Sequence, residues 1–382
     1  MQKAQTPMAA FADTKPHYNI LDGLRGVAAI TVVCFHIFEA YATSHLDQII
    51  NHGYLAVDFF FILSGFVVGY AYDDRWGKKM TTKDFIKRRI IRLHPMVVMG
   101  AVIGAVMFYF QGTSAWNDVA TVSVIALLFA TLLNALLIPA APGIEVRGLG
   151  EMFPLNGPSW SLFFEYIGNI LYALFIRKLS TKILAVLVFL AACGLAIFAI
   201  FGPLGDICVG YSLTGTEFTG GSLRLIFSFS AGLLLSRIFK PVNIKGAFWI
   251  CSAAVVALLA IPRIGGAEHL WMNGLYDAMC CIVFFPILVY LGASGKSTDK
   301  YTTRICKFLG DISYPLYMVH YPFIYLYYAW VKNNELTFQD SLPGAIAVVI
   351  GSIILAYICL KFYDMPVRKY LTNRFLKRKV KN

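Results

Sequence analysis

Charge is what this 382-residue chain has least of: Lys, Arg, Asp and Glu make up only 14%, against 58% apolar residues and a mean hydropathy of +0.66. Soluble domains carry about 25% charged residues, so this balance excludes a chain whose whole surface faces water. Acids are the scarcer sign, 21 against 33 Lys and Arg. The eight cysteines include no CxxC pair, and most lie inside apolar runs. That excludes a zinc knuckle or a disulfide frame and leaves them as small packing residues. There is no β-barrel alternation, no internal repeat, no low-complexity linker and no metal-ligand cluster. The first nineteen residues lack an apolar run of seven, so no cleaved secretion signal is expected, and the first span is expected to act as the insertion signal.

Apolar segments are what the chain has in abundance. Eleven lie between residues 20 and 360, most of them long enough to span a hydrocarbon core as a helix. The basic residues decide how they cross. Eight Lys/Arg fall in 73–92 and eight more in 361–382, with three in 177–182, three in 237–245 and four in 294–307, whereas 41–53 and 202–220 have none. The positive-inside rule puts these segments in the cytoplasm and, with Lys3 and Lys15 of the N-terminal tail, accounts for 28 of the 33 Lys/Arg. It also explains the net charge of +12 better than nucleic-acid binding, which is not expected. The stretch 93–138 must then cross an odd number of times although it holds two apolar segments, so one of them does not cross. The expected architecture is an all-α, polytopic transmembrane bundle of about ten spanning helices with both termini cytoplasmic. Residues 1–17 form an N-terminal tail, 18–370 a membrane domain and 371–382 a basic tail.

An ionisable side chain inside a span costs about 2.5–3.5 kcal/mol on insertion scales, so each one needs a reason. The first span, LDGLRGVAAITVVCFHIFEA, carries four: Asp22, Arg25, His36 and Glu39 share one helical face, with His36 roughly 16 Å beyond Arg25. A histidine at mid-depth can be neutral and act as a general base, or it can be a packing residue bonded to a neighbouring helix. In the second span Asp58 can orient His36, balance Arg25 or partner another donor, with Ser64 on a separate stripe. Arg89 and Arg92, one turn apart beyond it, would point together toward the phosphates of a nucleotide-like ligand. The segment PLNGPSWSLFFEYIGNILY aligns Ser161, Glu165, Gly168, Asn169 and Tyr172 at helical spacing. Such a stripe lines a cavity or a polar helix contact, and Trp160 beside it can wall a sugar. His320, in SYPLYMVH, is a weaker candidate on a helix read as mainly structural.

Taken in order, LDGLRG followed by His36, VDFFFILSGF, RRIIRLHP, PSWSLFFEY, SYPLYMVH and YDMPVRKYL resemble the acyltransferase-3 family of membrane O-acyltransferases, from about residue 18 to 370. The resemblance implies a cytoplasmic acyl-CoA donor, acetyl-CoA first among them, and no permanently bound cofactor or metal. It implies a carbohydrate acceptor such as O-antigen or exopolysaccharide on the other side of the membrane. It also implies His36 as base and Arg25, Arg89 and Arg92 on the coenzyme phosphates. Asp58 or Glu165 would orient the base, with Trp160, Ser161 and Ser64 near the substrates. Asp364 stands where the family more often has Glu, and no role is assigned to it. The reading from a different class is a transporter of a small organic anion or lipid-linked sugar, which would require inverted repeats and broken helices.

Overall fold

Within hydrocarbon a backbone must satisfy its own polar groups, which leaves helices or closed barrels, and this chain takes the first solution. The computed structural model describes residues 15, 17–44, 46–77, 80–296 and 299–376, so the tails expected at 1–17 and 371–382 lie mostly outside the described residues. The helices are α1 (Asn19–Phe38), α2 (Ala56–Tyr72), α3 (Thr82–Met107), α4 (Val124–Ala135), α5 (Ser159–Leu174), α6 (Thr181–Phe201), α7 (Gly215–Ile238), α8 (Ala247–Ala260), α9 (Leu270–Met279), α10 (Phe285–Ser294), α11 (Lys300–Val319), α12 (Tyr321–Asn333), α13 (Phe338–Cys359) and α14 (Met365–Phe375). Short π-helical turns at Cys280–Phe284 and Leu360–Asp364 join α9 to α10 and α13 to α14. Among the described residues there is no strand, only two isolated bridges. Polar residues set several starts: the side chains of Thr81, Ser123, Ser180, Asp299 and Thr337 each accept from an amide of the first turn.

Eight of the described stretches are long and apolar enough to cross a membrane, and the chain is an integral, multi-pass membrane protein. Helix directions fix the parity of the crossings. Asp22 meets Gly310, Arg25 bonds Ser313 and His36 stacks on His320, so α1 and α11 run parallel. Asp58 pairs with Arg224, Gly65 meets Phe229 and Gly69 meets Ser236, so α2 and α7 are parallel too. Parallel spans need an odd number of crossings between them, and α3, α5 and α6 supply three. A crossing α4 would make four. It is therefore the segment of 93–138 that does not cross. Together with α11 and the 14-residue α8, the eight long stretches account for the ten expected spans.

The centre of the bundle is built around α1 and α2, where Leu24, Ala28, Phe59, Ile62 and Phe66 are fully enclosed. Phe189, Leu190 and Phe201 of α6 face outward, where lipid replaces water as the apolar solvent. Hydrocarbon gives helices no hydrophobic drive to associate, so close contact relies on small residues. At the α2–α7 seam a Cβ on Gly65 would stand 2.0 Å from the Phe229 carbonyl oxygen, and one on Gly232 would stand 2.0 Å from that of Ile62. Only glycine lets these backbones touch. Gly232→Leu is expected to cost at least about 1–3 kcal/mol, read as a lower Tm of the detergent-solubilised protein. An unchanged Tm would mean the two helices stand farther apart than this.

Candidate active site

The first helix carries one polar group toward each of its ends. Near its start Arg25 donates from Nε to Ser313 Oγ (2.9 Å) and pairs with Asp22 (3.0 Å). Near its end His36 places Nδ1 2.8 Å from Glu39 Oε1, one helical turn on. A carboxylate only accepts, so the imidazole carries its proton on Nδ1 and Nε2 keeps a lone pair. Beneath it, the ring of His320 stacks at 5.5 Å and 30°. His320 lies with Nδ1 3.0 Å from the carbonyls of Leu316 and Tyr317, which makes Nδ1 its donor. Its Nε2 is buried and has no partner. Two imidazoles thus lie together, each with Nδ1 engaged, walled by Tyr321 at 4.8 Å from His36.

A cavity of about 1250 Å³ opens at the Arg25 end, larger than the about 300–1,000 Å³ of most small-molecule sites and suited to a long ligand. Its lining is strongly basic: Arg25, Arg89, Arg92, Lys307, Lys361, Arg368 and Lys369 outnumber Asp22, Glu165, Asp311 and Asp364. Arg92 is exposed into it and has no hydrogen-bond or ion-pair partner among the described residues. Arg89, by contrast, is held by Glu165 at 2.6 Å, and the same carboxylate oxygen accepts from Ser64 (2.7 Å). Ser161 and Tyr317 also line it, with their hydroxyls 2.8 Å apart. From there Tyr317 leads to His320 (ring centroids 6.0 Å) and His320 to His36. His36 itself does not line the cavity but stands one aromatic layer beyond it.

Most of the residues read from sequence therefore converge: Arg25, Arg89, Arg92, Ser64, Ser161 and Glu165 share one cavity, and His36 lies past its inner end. Neither acid expected to orient His36 reaches it. Glu165 is taken up by Arg89 and Ser64. Asp58 is fully buried in a pair with Arg224 (2.7 Å), which also bonds the carbonyls of Val209 and Tyr54. Trp160 stands 5.0 Å from that guanidinium and does not line the cavity. The acid that does hold His36 is Glu39, whose position three residues along the same helical face was the available signal. Arg224 carried a signal as well, since an arginine within the apolar run LRLIFSFSAGLLL requires a buried carboxylate. Asp364, given no role from sequence, lines the cavity at the π-helical turn with Oδ1 buried and unpartnered.

The molecule is thus a multi-pass bundle with a basic cavity at one end of α1 and a carboxylate-held histidine at the other. The profile of the acyltransferase-3 family, an acyltransferase domain, matches residues 18–361, and the chain belongs to that family. It is 24% identical over 373 residues to the peptidoglycan O-acetyltransferase OatA of Listeria monocytogenes, covering 91% of this chain and 55% of that protein. It is 22% identical over 366 residues to the O-acetyltransferase OatA of Staphylococcus aureus, covering 91% and 57%. Protein 2 in the picA locus of Rhizobium radiobacter is 35% identical over 164 residues, which is 40% of this chain and 80% of that one. The chain thus spans about half the length of the O-acetyltransferases it matches. No solved structure matches.

The two acids separate experimentally. Asp58→Asn strips a buried guanidinium of its counter-charge, a loss of about 3–5 kcal/mol, and is expected to lower both Tm and folded yield. Glu39→Gln, on a partly exposed carboxylate, is expected to leave Tm close to wild type. Thermal unfolding of both variants in one detergent checks this, and equal losses would contradict the assignment.

Proposed function

We propose that this protein is a membrane O-acyltransferase that moves an acyl group, acetyl in the first instance, from a coenzyme A thioester in the cytoplasm to a hydroxyl of a cell-envelope carbohydrate. The observation that carries this reading is the basic cavity with Tyr317 in its wall, joined through the packed rings of Tyr317 and His320 to the carboxylate-held His36. Family membership supports the reaction class. The names of the bacterial relatives support an acetyl group and an envelope glycan. The density of Lys and Arg around the cavity mouth supports a cytoplasmic opening, with both termini on that side.

In the proposed reaction Arg92, free of internal partners, takes a donor phosphate, with Arg25 and Arg89 adding positive charge behind it. The chain of the donor runs inward past Ser64, Glu165, Ser161 and Tyr317 and carries the thioester to the far side of the His320 ring, within reach of His36. The acceptor hydroxyl loses its proton to His36 Nε2 as its oxygen attacks the thioester carbonyl. A C–O bond forms, the C–S bond breaks, and the proton on His36 passes to the departing sulfur to give free coenzyme thiol. Glu39 holds the imidazole in the required tautomer and stabilises the imidazolium formed on the way.

Release of thiol from acetyl-CoA by the solubilised protein, with and without a cell-envelope glycan extract, tests this directly. Glycan-stimulated release is expected in the wild type, with a loss of about 10²–10⁴-fold in His36→Ala at unchanged Tm. Turnover retained by that variant would remove His36 as base. Arg92→Ala is expected to raise the KM for acetyl-CoA about tenfold with kcat little changed, as loss of a ground-state contact requires.

A further inference from the structure

The charge of the basic cavity stops one helical turn short of its inner end. Ser64, Glu165 and Ser313 mark the last charged tier, with Arg89 and Ser64 on Glu165 and Arg25 on Ser313. Four residues farther from the basic mouth along the same three helices stand Phe60, Ser161 and Tyr317, and all three line the cavity. Phe60 packs its ring on that of Tyr317 (centroids 5.6 Å, 83°), and Ser161 bonds the Tyr317 hydroxyl, so the three form one tier. Val57 and Leu162 line the cavity beside them, and none of the five is charged. The hydroxyls of the tier are spent as well. Those of Ser161 and Tyr317 lie 3.0 and 3.4 Å from the Pro158 carbonyl oxygen and 2.8 Å from each other, which leaves neither proton for an anion.

This tier divides the run Phe59–Phe60–Phe61. Phe59 and Phe61 are enclosed, at 0% and 2% exposure, whereas Phe60 is half-buried against the cavity. Beyond Tyr317 come His320, at 6.0 Å between ring centroids, and then His36, a further 5.5 Å on. An acyl group travelling from the cavity to His36 must therefore pass the contact between Phe60 and Tyr317. Tyr317 is pinned through its hydroxyl. A phenyl ring has no polar anchor, so Phe60 is the ring that turns aside, and the packing it disturbs grows with the bulk that passes.

We propose that Phe60 selects the acyl group: short, uncharged chains pass it, and longer or carboxylate-bearing ones are held back. The proposal rests on the acyltransferase reading and adds to it which donors the site accepts. An acetyl group displaces the ring least. A chain two methylenes longer displaces it further, and a succinyl carboxylate would lose its water in a tier that offers neither a cation nor a free donor.

The test is the kcat/KM for acetyl-, butyryl- and succinyl-CoA, read as thiol release at saturating envelope-glycan extract, in the wild type, Phe60→Leu and Phe60→Ala. The wild type is expected to prefer acetyl-CoA over butyryl-CoA by about tenfold or more, as a tight apolar site discriminates between chains differing by a methylene or two. Phe60→Ala is expected to raise the butyryl-to-acetyl ratio about tenfold, with Phe60→Leu in between, while succinyl-CoA stays the poorest donor throughout. A purely structural role for Phe60 would lower all donors together and leave the ratio where it was. A monodisperse elution profile and wild-type Tm confirm folding, and Phe60→Leu carries the test if the alanine variant does not fold. An unchanged butyryl-to-acetyl ratio in a folded variant, or wild-type turnover of succinyl-CoA equal to that of acetyl-CoA, would overturn the selection and leave the enzyme reading standing. Absence of glycan-stimulated release from every donor in the wild type would overturn the enzyme reading itself, and the selection with it.

Discussion

The parallel contact between α1 and α11 is the constraint on which the rest of this molecule depends. A Cβ on Gly26 would lie 2.4 Å from the Leu309 carbonyl oxygen, and one on Gly310 would lie 2.5 Å from Asp22 Cβ, so the first turns of α1 meet the middle of α11. That contact sets Arg25 against Ser313 and His36 against His320. Because a straight helix of this length spans the hydrocarbon, one element delivers a cation toward one surface and an imidazole toward the other. The chemistry proposed for the protein is a consequence of that geometry, since it needs one base within reach of ligands from both sides.

Buried charged side chains are tied to internal partners, as a low dielectric requires. Asp58 with Arg224 and Asp206 with Arg263 are enclosed ion pairs. His52, Asn273, Tyr54 and Asp277 form a hydrogen-bonded group between them. Arg147 is fixed in the loop before α5 by the Pro154 carbonyl and Gln111, with the ring of Tyr325 3.7 Å from its guanidinium carbon. These are the arginines that the positive-inside pattern left over, and each is tied internally. The cations that lack such partners, Arg92, Lys307 and Lys369, line the basic cavity.

Much of this was legible from residues alone, for physical reasons that differ from element to element. Helicity and the number of crossings follow from apolar length and from where Lys and Arg collect. That α4 does not cross was not visible in the apolar stretch 119–138, because its helix is shortened locally. Ser123 caps it at one end, and the chain turns away at Leu137, which adopts a φ of 53°. The face shared by Arg25, His36 and Glu39 came from helical periodicity. The partner of Asp58 did not, since periodicity within one helix says nothing about which helix, 166 residues later, packs against it. The same limit left Glu165 as a candidate partner for His36.

The central claim is that donor and acceptor reach His36 from opposite faces of the membrane. Its most direct test is acetyl transfer in proteoliposomes of known protein orientation, with acetyl-CoA supplied on one side and the envelope-glycan extract on the other. Acetylated glycan is predicted when acetyl-CoA faces the basic cavity and the glycan faces the opposite surface, and none when the two are exchanged. Transfer that requires both substrates on the same side would contradict the account.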